Sequence, residues 1–181
     1  VRVTDRDPNH LHPAARALME RHQAAILRRL GAPTTCIETH REDGRQEDAF
    51  AAGLTEKRAG GSHHNVKFLD GRPASCAWHL VIDPAGALII GFGSSVLHPR
   101  GCLTAPVDMG RHGVKALSSE ELLYLSIGVI GEELGATWGG RWDVRGKGPD
   151  WTHFQLAFPL SHIKSAMRLQ GGDLSALARS A

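Results

Sequence analysis

Between Leu11 and Ile26 the apolar positions Leu11, Ala15, Leu18, Ala25 and Ile26 fall roughly on one face of a 3.6-residue repeat. Pro13 suits a first helical turn and Gly31 is a natural stop after Leu30, so "HPAARALMERHQAAILRRLG" predicts a helix. "TTCIETH" then reads as a short strand, and "REDGRQEDAFAAGL" as a polar helix or turn. Gly60 and Gly61 mark a loop. From Ala74 the period changes to two: "ASCAWHLVID" predicts a strand with Ala77, His79 and Val81 on one face and Cys76, Trp78 and Leu80 on the other. Pro84-Ala85-Gly86 would turn that strand into a hairpin partner, "ALIIGF". Residues 91 to about 117 are rich in Gly and Pro without periodicity, the pattern of a lid or of disorder. "SSEELLYLSIGVIGEELG" predicts a second long helix, with Ser118 and Glu121 as a capping box and Gly135 as its end. "FQLAF" reads as a last strand and "PLSHIKSAMRLQGGDLSALARS" as a weakly amphipathic helix. Helices and hairpins without a βαβ rhythm predict an α+β fold, a small antiparallel sheet with flanking helices.

Composition narrows the classes. At 181 residues the chain is expected to be one domain, spanning 1–181. Apolar content of 41% and charged content of 22% fit a globular protein. The net charge of +2 gives no polybasic footprint, so no nucleic-acid partner is expected, and no run of about eighteen apolar residues predicts a membrane span. The opening "VRVTDRDPNH" has no signal-peptide pattern. Cys36, Cys76 and Cys102 are three and far apart, without a CxxC pair, and are expected to be buried or free thiols.

The stretch "GGSHHNVKFLDGRPASCAWHLVID" carries the chemistry that stands out. Zinc enzymes use imidazole or carboxylate ligands, usually three, with an open fourth position and a nearby carboxylate to move a proton. His64, His79 and His153 could supply the ligands and Asp150 the carboxylate. Spacing alone is weak support: among eleven histidines chance triples are common, and a lone histidine is more often a surface or satisfied core residue.

The local sequences add to this. Ser62-x-His64, "ELGATWGGRW" and "PDWTHFQL" with its Asp150-x-x-His153, in that order, resemble the zinc peptidases that cut peptidoglycan peptides. These are the LAS group of D-alanyl-D-alanine carboxypeptidases and L-alanyl-D-glutamate endopeptidases, and in particular their compact phage endolysin branch. "HREDGRQEDAF" supplies the arginine and glutamine that the family carries ahead of Ser-x-His, as Arg41 or Arg45 and Gln46. The resemblance runs from about residue 10 to 160. It implies one Zn²⁺ held by His64, His79 and His153, Asp150 as the proton shuttle, Arg41 facing the scissile carbonyl with Arg45 its rival, and Ser62 binding substrate or orienting its loop. It also implies a monomer that acts on the peptidoglycan peptide of the cell wall, released by lysis or carried on a virion.

One departure stands inside the resemblance. The family's second ligand is normally Asp in an Ala-x-Asp context, and "CAWHL" puts His79 there, which implies a three-histidine cage. The alternative is a catalytically impaired wall-binding or structural domain with the same fold. Asp83 is no substitute, lying four strand residues on, about 13 Å away at strand rise. Cys76 is three residues from His79 and so on the opposite face of a strand. Asp70 beside Gly71 reads as a turn residue. Trp138 and Trp142 would border the cleft or pack the core. Glu132 and Glu133 are expected at the surface, as fallback bases. His10, His12, His22, His40, His98, His112 and His162 are expected at the surface.

Overall fold

The computed structural model describes residues 4–83, 107–108, 114–115, 119–142, 149–169 and 171–178. The expected hairpin return "ALIIGF", most of the 91–117 stretch, Ser118, Cys102, His98 and His112 lie outside these residues.

The first helix, α1 (Pro13–Leu30), has the predicted limits. Its start is capped by His12, whose Nδ1 accepts from the Ala14 N–H, with Pro13 in the first turn. It ends on Gly31 in the left-handed region at φ 65°. Leu18, Met19, His22, Ala25 and Ile26 form its buried face. Three histidines expected at the surface are thus buried: His12, His22 and His40. For His12 and His22 the physical reason is hydrogen bonding to distant backbone. His12 Nε2 donates to the Gly172 carbonyl at 2.7 Å and His22 Nε2 to the Ile127 carbonyl at 2.9 Å. Neither partner is near in sequence, so no spacing could announce it. His10 is partly exposed beside Asp5, and His162 is exposed as expected.

The sheet has the order β1-β2-β6-β5, with β1 (Thr34–Glu38), β2 (Ala77–Ile82), β5 (Ala136–Trp138) and β6 (His153–Leu156), every pairing antiparallel. The α+β class and the small antiparallel sheet stand as expected from the sequence. β3 (Val107–Asp108) and β4 (Val114–Lys115) make a separate two-stranded ladder inside the stretch read as loop. The register of β2 and β6 sets Trp78 opposite Phe154 and His79 opposite His153. Side chains alternate, so Trp78, Leu80, Phe154, Leu156 and Trp138 face one way. There they meet α1 and α3 (Ser119–Glu133) in the hydrophobic core. His79, His153 and Gln155 face the other way.

One irregularity matters for that second face. Cys36 pairs with Leu80, but Glu38, not Ile37, pairs with His79, because a bulge shifts the register between them. A bulge adds one residue to one strand and re-aims the next side chain. Here it turns Glu38 onto the row of His79. The short helix α2 (Asp43–Ala51) follows β1 and resolves the "helix or turn" alternative. The C-terminal segment forms α4 (Leu160–Leu169) and the short α5 (Ser175–Ala178), where the sequence suggested one weak helix; Gly171 and Gly172, at φ 59° and 94°, break it.

Candidate metal centre

Three imidazoles converge on the face of the sheet away from the core. His79 and His153 are cross-strand neighbours on β2 and β6. His64 reaches them from a tight turn, His63–Asn65, that Ser62 caps by accepting from the His64 N–H at 3.2 Å. Although the two are neighbours in this turn, His63 and His64 point apart. His63 Nε2 bonds the Phe158 carbonyl at 3.0 Å, while His64 enters the cluster.

His64 Nε2 lies 3.3 Å from His153 Nδ1, which lies 3.1 Å from His79 Nε2. One nitrogen from each ring stands within 4.8 Å of the others. A tetrahedral zinc with ~2.0–2.1 Å bonds to nitrogen needs donors about 3.3 Å apart. The three nitrogens fit such an ion in type, and two of their three separations match that spacing, the third lying within 4.8 Å. Each ring's other nitrogen has its own partner, as ligand histidines require. His64 Nδ1 donates to the Thr39 carbonyl at 2.6 Å, His153 Nε2 meets Gln155 Oε1 at 3.1 Å, and His79 Nδ1 meets Thr152 Oγ1 at 2.9 Å.

Burial, reinforced by the neighbouring imidazoles, drives both buried rings toward the neutral form that can bind metal. His153 falls to about 3, despite the opposing charge of Asp150, and His64 falls well below the ordinary histidine value. Asp150 is partly buried at the start of the His153 segment. Burial raises its carboxyl, but His79, His153, the Thr152 hydroxyl and Arg41 outweigh that and hold it below the usual carboxylate range. Its N–H bonds the Gly139 carbonyl at 3.1 Å. A Cβ on Gly139 would stand 2.7 Å from the Asp150 carbonyl and 2.9 Å from His153 Cβ, so a side chain there would displace both.

The cluster opens into a cleft of about 470 Å³, lined among others by Arg41, Ser62, His64, His79, Asp150 and His153. Leu54, Glu56, Lys57 and Trp142 extend its walls. The two tryptophans divide: Trp138 is fully buried in the core, while Trp142 borders the cleft with its ring 4.8 Å from that of His153. Arg41 lies before α2, not on it, and lines the cleft; Arg45 is not among the lining residues. Glu132 and Glu133 pair with Arg141 and Arg29 away from the cluster. Asp83 sits near Thr35, outside the three-nitrogen group. Cys76 is buried in the core and its thiol is pushed up to about 12 by that burial. Burial takes Cys36 up to about 11, and neither described cysteine forms a disulfide.

Glu38 escaped the sequence reading. It is buried, is bonded by Arg41 through Nε at 3.2 Å and through a second guanidinium nitrogen, and is met by Arg45 at 2.8 Å. Burial raises its carboxyl, but the hydrogen bond from Arg41 and the charges of His79, Arg41 and Arg45 prevail and lower it. Gln46, fully buried, accepts from Arg41 at 3.1 Å and donates to the Lys57 carbonyl on the cleft wall. The available signal was the cluster Glu38, Arg41, Arg45 and Gln46 itself, a carboxylate within seven residues of two arginines.

No helix among the described residues is long and apolar enough to cross a membrane. Comparison with protein-family models gives no match, and comparison with curated proteins gives none either. Among solved structures, the chain is similar to the L-Ala D-Glu endopeptidase ChiX of Serratia marcescens, with 22% identity and a TM-score of 0.49 over 87% of this chain and 91% of that one.

Proposed function

We propose that this chain, as a single domain over residues 1–181, is a zinc-dependent peptidase that hydrolyses a peptide bond in the peptidoglycan stem peptide. The observation that carries the reading is the meeting of three imidazole nitrogens with Asp150 and Arg41 in one open cleft. The ordered Ser-x-His and Asp-x-x-His motifs support the peptidoglycan class and, more finely, a monomeric lysin of the phage type. Bound at the three histidines, Zn²⁺ would supply Lewis acidity to the scissile carbonyl and acidify water.

The remaining roles belong to the chain. Asp150, a carboxylate at neutral pH, takes a proton from the attacking water and returns it to the leaving amine. Arg41 stands ready for the charge that develops on the carbonyl oxygen, its guanidinium held in place by Glu38 and Gln46. Ser62 fixes the turn that presents His64, and its place in the cleft wall also puts it within reach of substrate. His79 in place of the family's Asp favours a second reading, a wall-binding domain without turnover.

Digestion of purified peptidoglycan separates the two. The enzyme should release stem peptides with new amino termini and no new reducing sugar ends, and Asp150→Asn should lose turnover by ~10²–10⁴-fold while keeping zinc. Binding to walls without release supports the second reading. New reducing ends would overturn the peptidase assignment.

A further inference from the structure

The three outward-facing partners of the imidazoles differ in what they can dictate. The Thr39 carbonyl only accepts, so it fixes the proton of His64 on Nδ1 and leaves Nε2 free for the cluster. Gln155 presents its amide oxygen to His153 Nε2. Thr152 is different, because a hydroxyl can donate or accept and by itself leaves the tautomer of His79 open.

The far side of the hydroxyl decides. Thr152 Oγ1 lies 3.2 Å from Asp150 Oδ1 as well as 2.9 Å from His79 Nδ1. A carboxylate only accepts, and a hydroxyl has one proton. With that proton donated to Asp150, a lone pair of Oγ1 faces His79, whose Nδ1 must then carry the hydrogen. A competing pull exists on the other side of the ring: Glu38 Oε2 stands 3.7 Å from His79 Nε2. A proton drawn there would occupy the atom that faces His64 and His153. Neutral His79 therefore has one proton and two carboxylates acting on it, one directly and one through Thr152.

We propose that Thr152 is a positioning residue that relays the charge of Asp150 to His79, holding its proton on Nδ1 so that Nε2 is free to bind metal. The same hydroxyl ties the Asp150 carboxylate to the ligand set. Asp in position 79 would have no N–H to give Thr152, so this relay is specific to the histidine that distinguishes this chain from the motif it resembles.

This role rests on the reading of the cluster as a metal site, but its primary test needs neither zinc nor activity. In metal-free protein at pH 8, ring 15N and 13C shifts of His79 should report the Nδ1–H tautomer. Thr152→Val, of nearly the same shape, should shift His79 toward Nε2–H and leave His64 unchanged as an internal control. Thr152→Ser should behave as the parent. Zinc affinity by chelator competition should fall ~10–100-fold in Thr152→Val, as for loss of an outer partner of a ligand histidine, and be retained in Thr152→Ser. If the valine variant does not fold, Thr152→Ala carries the same expectation. An unchanged His79 tautomer in the hydroxyl-free variant, or a serine variant that behaves like valine, overturns the relay. A parent that binds no zinc while the tautomer shifts as expected overturns the metalloenzyme reading instead, and leaves the relay standing.

Discussion

A histidine at position 79 reaches the cluster with one nitrogen and offers Thr152 an N–H from the other, a donor that an aspartate lacks. His79→Ala removes one of three candidate donors and should weaken zinc binding by at least about 100-fold, more than the loss of an outer partner. His79→Asp offers another good ligand type with a shorter reach. It should hold zinc far better than the alanine variant, with wall cleavage at least comparable to the parent. Chelator competition and a turbidity assay on walls measure both; alanine and parent binding zinc equally would remove His79 from the ligand set. The candidate donors were legible because Ser-x-His, the period of two along β2 and Asp-x-x-His each fix a side chain locally. Glu38 was not, because its place depends on a bulge that moves it opposite His79 and on two arginines that fold back onto it. His22 was misplaced for a similar reason, its hydrogen-bond partner being the Ile127 carbonyl, 105 residues away.

The elements that carried their own signals were the legible ones: α1 between Pro13 and Gly31, β2 with its alternation, and α3 up to Gly135. β5 was missed, since three residues cannot show a period and "ATW" reads equally well as the entry to the glycine turn. Its position is nevertheless well determined by packing. Trp138 lies on Gly128 of α3, where a Cβ would come within 2.2 Å of the indole ring. Gly128→Ala should gain about 1 kcal/mol in helix propensity, yet the overlap forces α3 and β5 apart. We expect a net loss of roughly 1–3 kcal/mol in urea unfolding, the usual cost of overpacking. β6 is held between β2 and β5, so the strain should reach His153 and lower zinc affinity as well. A variant as stable as the parent would show that the α3–β5 contact yields easily and does not position β6.

At the scale of the molecule, buried neutral histidines tie stability to pH. His22 is fully buried, and burial takes it down to about 4 despite its bond to the Ile127 carbonyl. The unfolded chain binds that proton near 6.5, so folding excludes it over the interval between the two values. Stability is thus full above about pH 6.5, falls as pH drops from there toward 4, and levels off below. For His22 alone the loss is on the order of 3 kcal/mol. His64 and His153, lowered in the same direction, steepen the decline in metal-free protein. His22→Gln keeps an N–H for Ile127 and has no charge to gain. It should unfold more readily at pH 7, through imperfect packing against Phe154, but lose less stability between pH 7 and pH 4.5 than the parent does. Zinc adds a second dependence of the same sense, because imidazole binds metal only when neutral. Calorimetry should therefore show a higher Tm on adding zinc at pH 7, and that gain should shrink as pH falls toward 3, where His153 itself takes a proton. A gain undiminished at pH 3 would contradict a site built from three histidines. An equal pH slope in His22→Gln and parent would place the acid sensitivity elsewhere, with the cluster itself the next group to vary.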